Sequence, residues 1–424
     1  MRRLFLFLLL ALPAFVSAEN TFTRHPQLDA YLDKGDYFEF ARAYRLQIHS
    51  SDAITASDLY YAAYYESLFG NAETSNDCVD KVVAGNVSDS IAAELLQLKL
   101  QNCFRIFQYA KADSVCTQLT FRYASVISAS DMADIKNTGD LTKALRDVPP
   151  QTMERNGDLE LHFKRDIANL LRVPVSVNGK EGKFIVDTGA NLSTISESEA
   201  KRMGVQPIDA TFGVVSSSKS SVDAKLGLAK EMKLGNVTFH NVIFIVLPDA
   251  SLRFAGGLYK IKGIIGLPVI AQLGEIQVNA KGTIRSPVQQ SDYSGERNLG
   301  MIGNTPIAEV EFYGQPHTYI FDTGAGTSVF SKNFQAQYND SLQNTVEKSS
   351  RVGGAGGVQE IRVIRIKNLH YKFGGQLGLL KSGMIQLNGS SEAINAYYGI
   401  VGEDIFSQWD TMTINFAKGF VTFK

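Results

Sequence analysis

The stretch FIVDTGA (residues 184–190) is repeated 135 residues later as YIFDTGA (residues 319–325). In each copy three apolar or aromatic residues precede an Asp, which predicts that Asp187 and Asp322 each stand at the end of a buried strand. A single Asp-Thr-Gly is typical of a strand that ends in a turn whose Asp caps local amides. Two copies with the same surroundings favour a pair of related carboxylate loops instead.

The repeat continues beyond these loops. Ile-Ile-Gly at 264–266 corresponds to Ile-Val-Gly at 400–402, and Gln272 corresponds to Gln408, each at an offset of 136. The registry therefore holds over more than a hundred residues with a net slip of one. We infer two copies of one structural unit. Short β-branched runs separated by Gly, Asn, Asp and Ser clusters predict that both copies are all-β.

These motifs resemble the retropepsin-like aspartic peptidases, in the clan of pepsin and the retroviral proteases. The segment from Ile264 to Gly274 is similar to the retroviral segment that passes beneath the catalytic loop and enters the C-terminal helix. The resemblance covers residues 157 to 424. It implies a double-lobed acid-protease fold in which two tandem lobes pair within one chain, and the short spacing of the two Asp suits compact lobes.

By this resemblance Asp187 and Asp322 are the catalytic residues of an aspartic endopeptidase. Two carboxylates within hydrogen-bonding distance do not both ionise cheaply, so the pair shares a proton. The ionised partner then activates a water, and the protonated partner polarises the peptide carbonyl. The resemblance implies a polypeptide substrate. We expect no cofactor and no metal, because the three Cys and six His show no zinc-ligand spacing.

The resemblance also gives roles to the neighbours of the two Asp. Threonines are expected to hydrogen-bond across the lobe interface, and glycines to allow close approach of the backbone. These supporting residues are Thr188, Gly189, Thr323, Gly324, Gly266 and Gly402. Ala190 and Ala325 replace a residue whose hydroxyl hydrogen-bonds the dyad in pepsins. Losing such a bond predicts a milder acid optimum.

Two segments are candidate flaps, the β-hairpins that close over the substrate in retropepsins. The first, Thr211 to Val222, is Ser-rich and lacks glycines at its tip, which departs from the family. The second, Arg351 to Val358, has the backbone freedom that a moving hairpin needs. Its glycines are Gly353, Gly354, Gly356 and Gly357. Either segment can instead be read as a flexible loop.

The region before the repeat reads as helices. Apolar residues recur at three and four positions from residue 24 to about 145, and similar segments open at Gly35, Gly70 and Gln108. Spacings of 35 and 38 residues are typical of tetratricopeptide-like helical repeats, and a plain helical bundle explains them equally. This region is interpreted as a domain that recruits a protein partner, with an inhibitory propeptide as a further reading.

The predicted organisation is a signal peptide at 1–18, a helical domain at 19–150, lobes at 157–286 and 300–424, and a linker at 287–299. Arg2 and Arg3 before an apolar run, then Val-Ser-Ala at 16–18, indicate export to a periplasm or to the outside. We expect no membrane span once this segment is removed. A net charge of −1 with mixed signs argues against nucleic-acid binding.

Three alternatives remain open at this level. The chain can be a catalytically silent peptide-binding module, or a scaffold that acts through its helical domain. Each lobe can also pair with a lobe of another chain. A 13-residue connection from Ser286 to Asn298 spans at most about 43 Å, which is ample for pairing within one chain. We therefore expect a monomer. One pair among Cys78, Cys103 and Cys116 can form a disulfide in an oxidising compartment.

Overall fold

The computed structural model describes residues 22–47, 54–215, 221–254, 257–342, 346–354, 357–388 and 395–424. Helices extend from Pro26 to Leu145 and are followed by a β-rich region that begins at Thr152. The predicted fold class, a helical region followed by a β protease fold, is confirmed. The predicted signal peptide lies outside the described residues. Among those residues, no helix is long and apolar enough to cross a membrane.

Local capping signals set the limits of the N-terminal helices. The helices are α1 (Pro26–Lys34), α2 (Tyr37–Gln47), α3 (Ala56–Phe69), α4 (Ala72–Val83), α5 (Asp89–Arg105), α6 (Tyr109–Phe121) and α7 (Ala129–Leu145). Pro26 occupies the first turn of α1, and Gly35 ends this helix in the left-handed conformation at φ 71°. Thr55 and Asp58 form a reciprocal capping box at the start of α3.

Consecutive helices from α3 to α7 pack against one another. Their core is rich in aromatic side chains, with Phe40, Tyr60 and Tyr123 almost fully buried. This arrangement is common to helical repeats and to bundles, so the tetratricopeptide-like character stays a prediction. The three cysteines are free thiols buried in the same core.

The first β unit is built around a nine-stranded sheet. Its elements are β1 (Thr152–Arg155), β2 (Leu159–His162), β3 (Lys164–Arg165), β4 (Leu171–Val177), β5 (Lys180–Val186), β6 (Ser193–Ser196), α8 (Glu197–Arg202), β7 (Gln206–Val215), β8 (Ser221–Leu234), β9 (Val237–Leu247), β10 (Arg253–Phe254), β11 (Tyr259–Lys260), β12 (Gly263–Ile265), α9 (Leu267–Gln272), β13 (Glu275–Asn279) and β14 (Thr283–Ser286). β1 pairs with β9, so the β-rich region begins before the predicted lobe boundary at residue 157.

The second β unit follows an irregular connection after Ser286. Its elements are β15 (Leu299–Ile302), β16 (Thr305–Phe312), β17 (Gln315–Phe321), β18 (Val329–Phe330), α10 (Lys332–Tyr338), β19 (Val346–Gly354), β20 (Gly357–Phe373), β21 (Gln376–Gln386), β22 (Gly399–Val401), α11 (Glu403–Phe406), β23 (Thr411–Asn415) and β24 (Phe420–Phe423).

The two units share one order of pairings. In the first, β5 is parallel to β12, β12 is antiparallel to β6, and β6 is parallel to β9. In the second, β17, β22, β18 and β21 pair in the same succession with the same directions. Both hairpins that lead into these strands turn through two left-handed residues, Asn178-Gly179 and Tyr313-Gly314. Positive φ at both positions is what a two-residue hairpin turn requires.

A five-stranded sheet joins the two units. Its order is β2-β14-β13-β23-β24, so three strands come from the first unit and two from the second. The joining pair, β13 and β23, is antiparallel from Glu275↔Asn415 to Asn279↔Thr411. Because this ladder is backbone hydrogen bonding between distant parts of one chain, it fixes the orientation of one unit against the other.

The helical region packs against both β units. Tyr109 and Leu145 share a buried cluster with Leu192, Leu226 and Ile243 of the first unit. On the second unit, Arg42 donates two hydrogen bonds to Glu309, at 3.1 and 2.6 Å. The hydroxyl of Thr318 donates to the carbonyl oxygen of Gly35 at 2.8 Å. The helices therefore form part of the same folded body as the β units.

Candidate functional site

The structure places Asp187 and Asp322 at equivalent positions, each directly after the last residue of its strand, β5 or β17. The amide of Asp187 donates to the carbonyl oxygen of Ile265 at 3.0 Å, and the amide of Asp322 donates to that of Val401 at 3.1 Å. Each Asp is therefore held by the strand, β12 or β22, that ends in the apolar-apolar-Gly motif. The sequence repeat predicted this pairing of motifs.

The two carboxylates face each other across the boundary between the units. Each accepts a hydrogen bond from its own loop, from Gly189 N at 2.8 Å and from Gly324 N at 2.7 Å. A Cβ at position 189 would lie 2.6 Å from the carboxyl carbon of Asp322, and one at 324 would lie 2.2 Å from that of Asp187. Only glycine allows each carboxylate to sit this close to the opposite loop.

Burial raises the pKa of both aspartates. The negative charge of Asp322 and a hydrogen bond with it raise the pKa of Asp187 further, to well above its usual range. The amide of Gly324 and the hydrogen bond from Asp187 oppose the rise for Asp322. The pair therefore retains one proton under conditions in which a solvated Asp is ionised.

Two threonines connect the loops below the carboxylates. The amide of Thr188 donates to Thr323 Oγ1 at 3.1 Å, and the amide of Thr323 donates to Thr188 Oγ1 at 3.0 Å. Each hydroxyl in turn donates to the opposite strand, Thr188 to Phe321 O at 3.0 Å and Thr323 to Val186 O at 3.3 Å. Both threonines are buried. These four bonds tie the two loops to each other.

Gly266 and Gly402 lie directly beneath the two loops. A Cβ at Gly266 would come within 2.7 Å of Ala190 O, and one at Gly402 within 2.3 Å of Ala325 O. Immediately after each glycine, an amide bonds the loop from below: Leu267 N donates to Ala190 O at 2.9 Å, and Glu403 N to Ala325 O at 2.8 Å.

Sequence reasoning gave no role to Ser193 and Ser328, which also belong to this support. Their hydroxyls accept the amides of Gly266 and Gly402, both at 3.1 Å. The two serines lie at the same offset of 135 as the two aspartates. Extending the comparison of the two copies by a few residues would have identified them.

The sequence did not predict the charged residues Glu403, Arg165 and Asp404 beneath Asp322. The two acidic residues have no counterpart in the first unit. Glu403 is fully buried and accepts a hydrogen bond from Arg165 at 2.5 Å, whereas its Oε1 has no partner. Burial raises the pKa of Glu403 to about 7, against the opposing effect of Arg165. Asp404 accepts the amide and hydroxyl of Ser328 at 2.9 and 2.6 Å. Leu267 and Pro268 occupy the matching positions, so the repeat gave no signal here.

Both predicted flap segments belong to long hairpins. The candidate Thr211 to Val222 spans the end of β7 and the start of β8, which pair up to Val215↔Ser221. In the other, β19 and β20 pair up to Gly353↔Val358 and Gly354↔Gly357. Residues 216–220 of the first segment, and Ala355 and Gly356 of the second, lie outside the described residues. Hairpin geometry suits a flap, and the flap role stays a prediction.

The two Asp-Thr-Gly loops, bridged by threonines at the boundary of the two β units, bring both carboxylates to one site. The family model of aspartyl proteases matches residues 173–269, which contain Asp187 and Gly266. The match ends before Asp322. No curated protein matches the chain. The family match supports a protease that acts on polypeptides.

Proposed function

We propose that the chain is an aspartic endopeptidase in which Asp187 and Asp322 form a single catalytic dyad. The observation that carries this proposal is that the two carboxylates face each other. Each accepts a hydrogen bond from an amide of its own loop. Each also lies so close to the glycine of the opposite loop, Gly324 or Gly189, that a Cβ at that glycine would clash with it. Burial and mutual repulsion keep one proton on the pair.

The proposed reaction needs only this pair and a water molecule. The ionised carboxylate takes a proton from a water placed between the two side chains, and the water oxygen attacks the peptide carbonyl carbon. The protonated carboxyl donates its hydrogen bond to the carbonyl oxygen, where negative charge develops. Collapse of the tetrahedral intermediate breaks the C–N bond as the amine nitrogen gains a proton. The dyad returns to one shared proton.

We further propose that catalysis takes place within one chain, by two tandem retropepsin-like lobes. The mixed sheet formed by β13 and β23 supports this, because it brings the second copy against the first without a second molecule. The four bonds of Thr188 and Thr323 support the same reading. Specific activity should then be independent of enzyme concentration. A fall in specific activity on dilution would favour pairing between chains.

The test is hydrolysis of an unstructured protein substrate by the full chain and by Asp187→Asn and Asp322→Asn variants. Removing either carboxylate should lower kcat by about 10²- to 10⁴-fold, the usual contribution of a general acid or base. Asp33→Asn is the matched control, because Asp33 is exposed on α1. Its activity should equal that of the unmodified chain.

Two results would contradict the proposal. One is cleavage that persists unchanged in both dyad variants. The other is an absence of cleavage by the unmodified chain at any pH between about 3 and 8, together with binding of the same substrate. The second result would identify a peptide-binding module that has the site without the activity.

A further inference from the structure

The support beneath the two carboxylate loops is apolar in one unit and charged in the other. Leu267 and Pro268 occupy the positions in the first unit that Glu403 and Asp404 occupy in the second. In both units the first residue of the two donates its amide to the loop above it. The two aspartates of the dyad therefore rest on equivalent backbone and on different side chains.

Glu403 is connected to Asp322 through the backbone and through charge. Its amide donates to Ala325 O at 2.8 Å, in the loop that carries Asp322. Its side chain is fully buried, so water screens its charge poorly. The negative charge of Asp322 raises the pKa of Glu403 beyond the effect of burial. Because repulsion between two charges acts on both groups, an ionised Glu403 also opposes ionisation of the dyad.

Arg165 supplies the opposite charge, and it comes from the first unit. Its guanidinium donates to Glu403 Oε2 at 2.5 Å and to the carbonyl oxygen of Asn169 at 2.8 Å. In the described part of the chain, Glu403 is the carboxylate that pairs with Arg165. Removing the charge of Glu403 would therefore leave a positive charge without compensation beneath Asp322.

The segment that Arg165 anchors lies against the loop of Asp322. Asp166 shapes this segment by accepting the amide of Ala168 at 2.9 Å. A Cβ at Gly326 would lie 3.0 Å from Ala168 O, and Gly326 stands four residues after Asp322. This contact and the ion pair together hold the loop of Asp322 against the first unit.

The charged groups that act on Glu403 come from three elements. They are Arg165 in β3, Asp322 after β17, and Asp404 in the same short helix α11. Tyr371 of β20 is near Asp404, and burial raises the pKa of this phenol to about 12, so it stays neutral. Arg165 is the positive charge among these groups. The charge balance beneath the dyad therefore depends on whether Glu403 is ionised.

We propose that Glu403 is a positioning residue for the dyad: paired with Arg165, it holds the loop of Asp322 and offsets the positive charge that would otherwise draw the last proton from the two carboxylates. This inference rests on the proposed dyad of Asp187 and Asp322. A guanidinium favours ionisation of nearby acids, and a carboxylate opposes it. The two members of the pair therefore act on the dyad in opposite directions, whereas an ion pair that serves only the fold would leave the titration of the dyad unchanged.

The test follows ionisation of the dyad directly, by NMR of the full chain with isotope-labelled aspartate carboxyl carbons. The variants Asp187→Asn and Asp322→Asn identify the signals of the dyad. Glu403→Gln keeps the shape of the side chain and removes its charge, so the dyad should lose its last proton at a pH about 0.5–1 unit lower than in the parent. Arg165→Met removes the positive charge and should move the same step about 0.5–1 unit higher.

A double variant keeps the test decisive where Arg165→Met alone does not fold. Arg165→Met combined with Glu403→Leu replaces the buried ion pair by apolar side chains of similar size, a change that proteins usually tolerate. It should reverse the downward shift of Glu403→Gln, because the uncompensated guanidinium is gone. Glu160→Gln and Arg285→Met are the matched controls, since these residues form an ion pair in which both side chains are largely exposed. Neither control should move the titration of the dyad.

This readout needs no turnover, so the two proposals fail separately. A parent that cleaves no substrate, in which the dyad still titrates as expected in each variant, would refute the peptidase activity and support the role of Glu403. In an active enzyme, the alkaline limb of kcat should move in the same direction as the NMR titration. An unchanged dyad titration in Glu403→Gln, or shifts of the same sign in Glu403→Gln and Arg165→Met, would overturn the inference.

Discussion

Thr188 and Thr323 bond each other reciprocally across the boundary of the two β units, with amide-to-hydroxyl distances of 3.1 and 3.0 Å. Each hydroxyl also donates to a carbonyl of the opposite strand. Neither residue can make these bonds unless the other loop is in place. The relationship therefore couples the geometry of the carboxylate pair to the docking of the units.

Substitution Thr188→Val should lower the free energy of unfolding by about 2–4 kcal/mol. It removes the hydroxyl at nearly constant volume and leaves Thr323 N–H and Phe321 C=O buried without partners, at about 1–3 kcal/mol for each group. Thr188→Ser keeps the hydroxyl and should lose no more than about 1 kcal/mol. Urea denaturation measures both variants, and an equal loss in the two would show that the methyl group, not the hydroxyl, matters.

Substitution Gly189→Ala should lower kcat by about 10²-fold, because the new Cβ displaces the carboxylate of Asp322 from its position. The control is Gly139→Ala in α7, where a Cβ would meet Cys116 at an ordinary 3.8 Å. That change should leave kcat unaltered and stabilise the helix by about 0.5–1 kcal/mol. Normal turnover by Gly189→Ala would contradict the assigned contact.

The acid limb of the pH-rate profile should lie at higher pH than that of a dyad with ordinary pKa values, because burial raises the pKa of both Asp187 and Asp322. The rate falls when the last proton binds the pair, so raised pKa values move that fall to higher pH. Ala325→Ser introduces a hydroxyl beside the dyad, and a bond to the ionised form should shift the acid limb down by up to about one unit. A parent profile still rising below about pH 3 would be incompatible with this reasoning.

Glu403 should make stability depend on pH between its unfolded and folded pKa values. Burial raises its pKa from 4.5 to about 7. The folded state therefore binds the proton more tightly, and this contribution is complete below pH 4.5 and is lost as the pH rises through 7. The Tm of the parent should therefore fall relative to that of Glu403→Gln as the pH rises from 4.5 to about 7.

Glu160→Gln is the control for this measurement, because Glu160 forms an ion pair with Arg285 in which both side chains are largely exposed. Its Tm should follow that of the parent at each pH. A constant offset between Glu403→Gln and the parent from pH 4.5 to pH 7 would mean that Glu403 remains ionised throughout.

The sequence by itself determined the features that depend on local pattern and on internal repetition. The helical region, the β-rich region and the two carboxylate loops follow from apolar spacing, turn residues and an offset between copies that changes only from 135 to 136. The glycines Gly266 and Gly402, at an offset of 136, lie beneath their loops at equivalent positions, because equal units place equal residues at equal sites.

Only the tertiary structure decided the features that break the repeat or join distant segments. Glu403 and Arg165 are 238 residues apart, and their pairing depends on how the second unit docks on the first. The mixed sheet of β13 and β23 arises in the same way. A single sequence carries no signal for such contacts, because complementarity between surfaces depends on the relative placement of whole units and not on the period of either one.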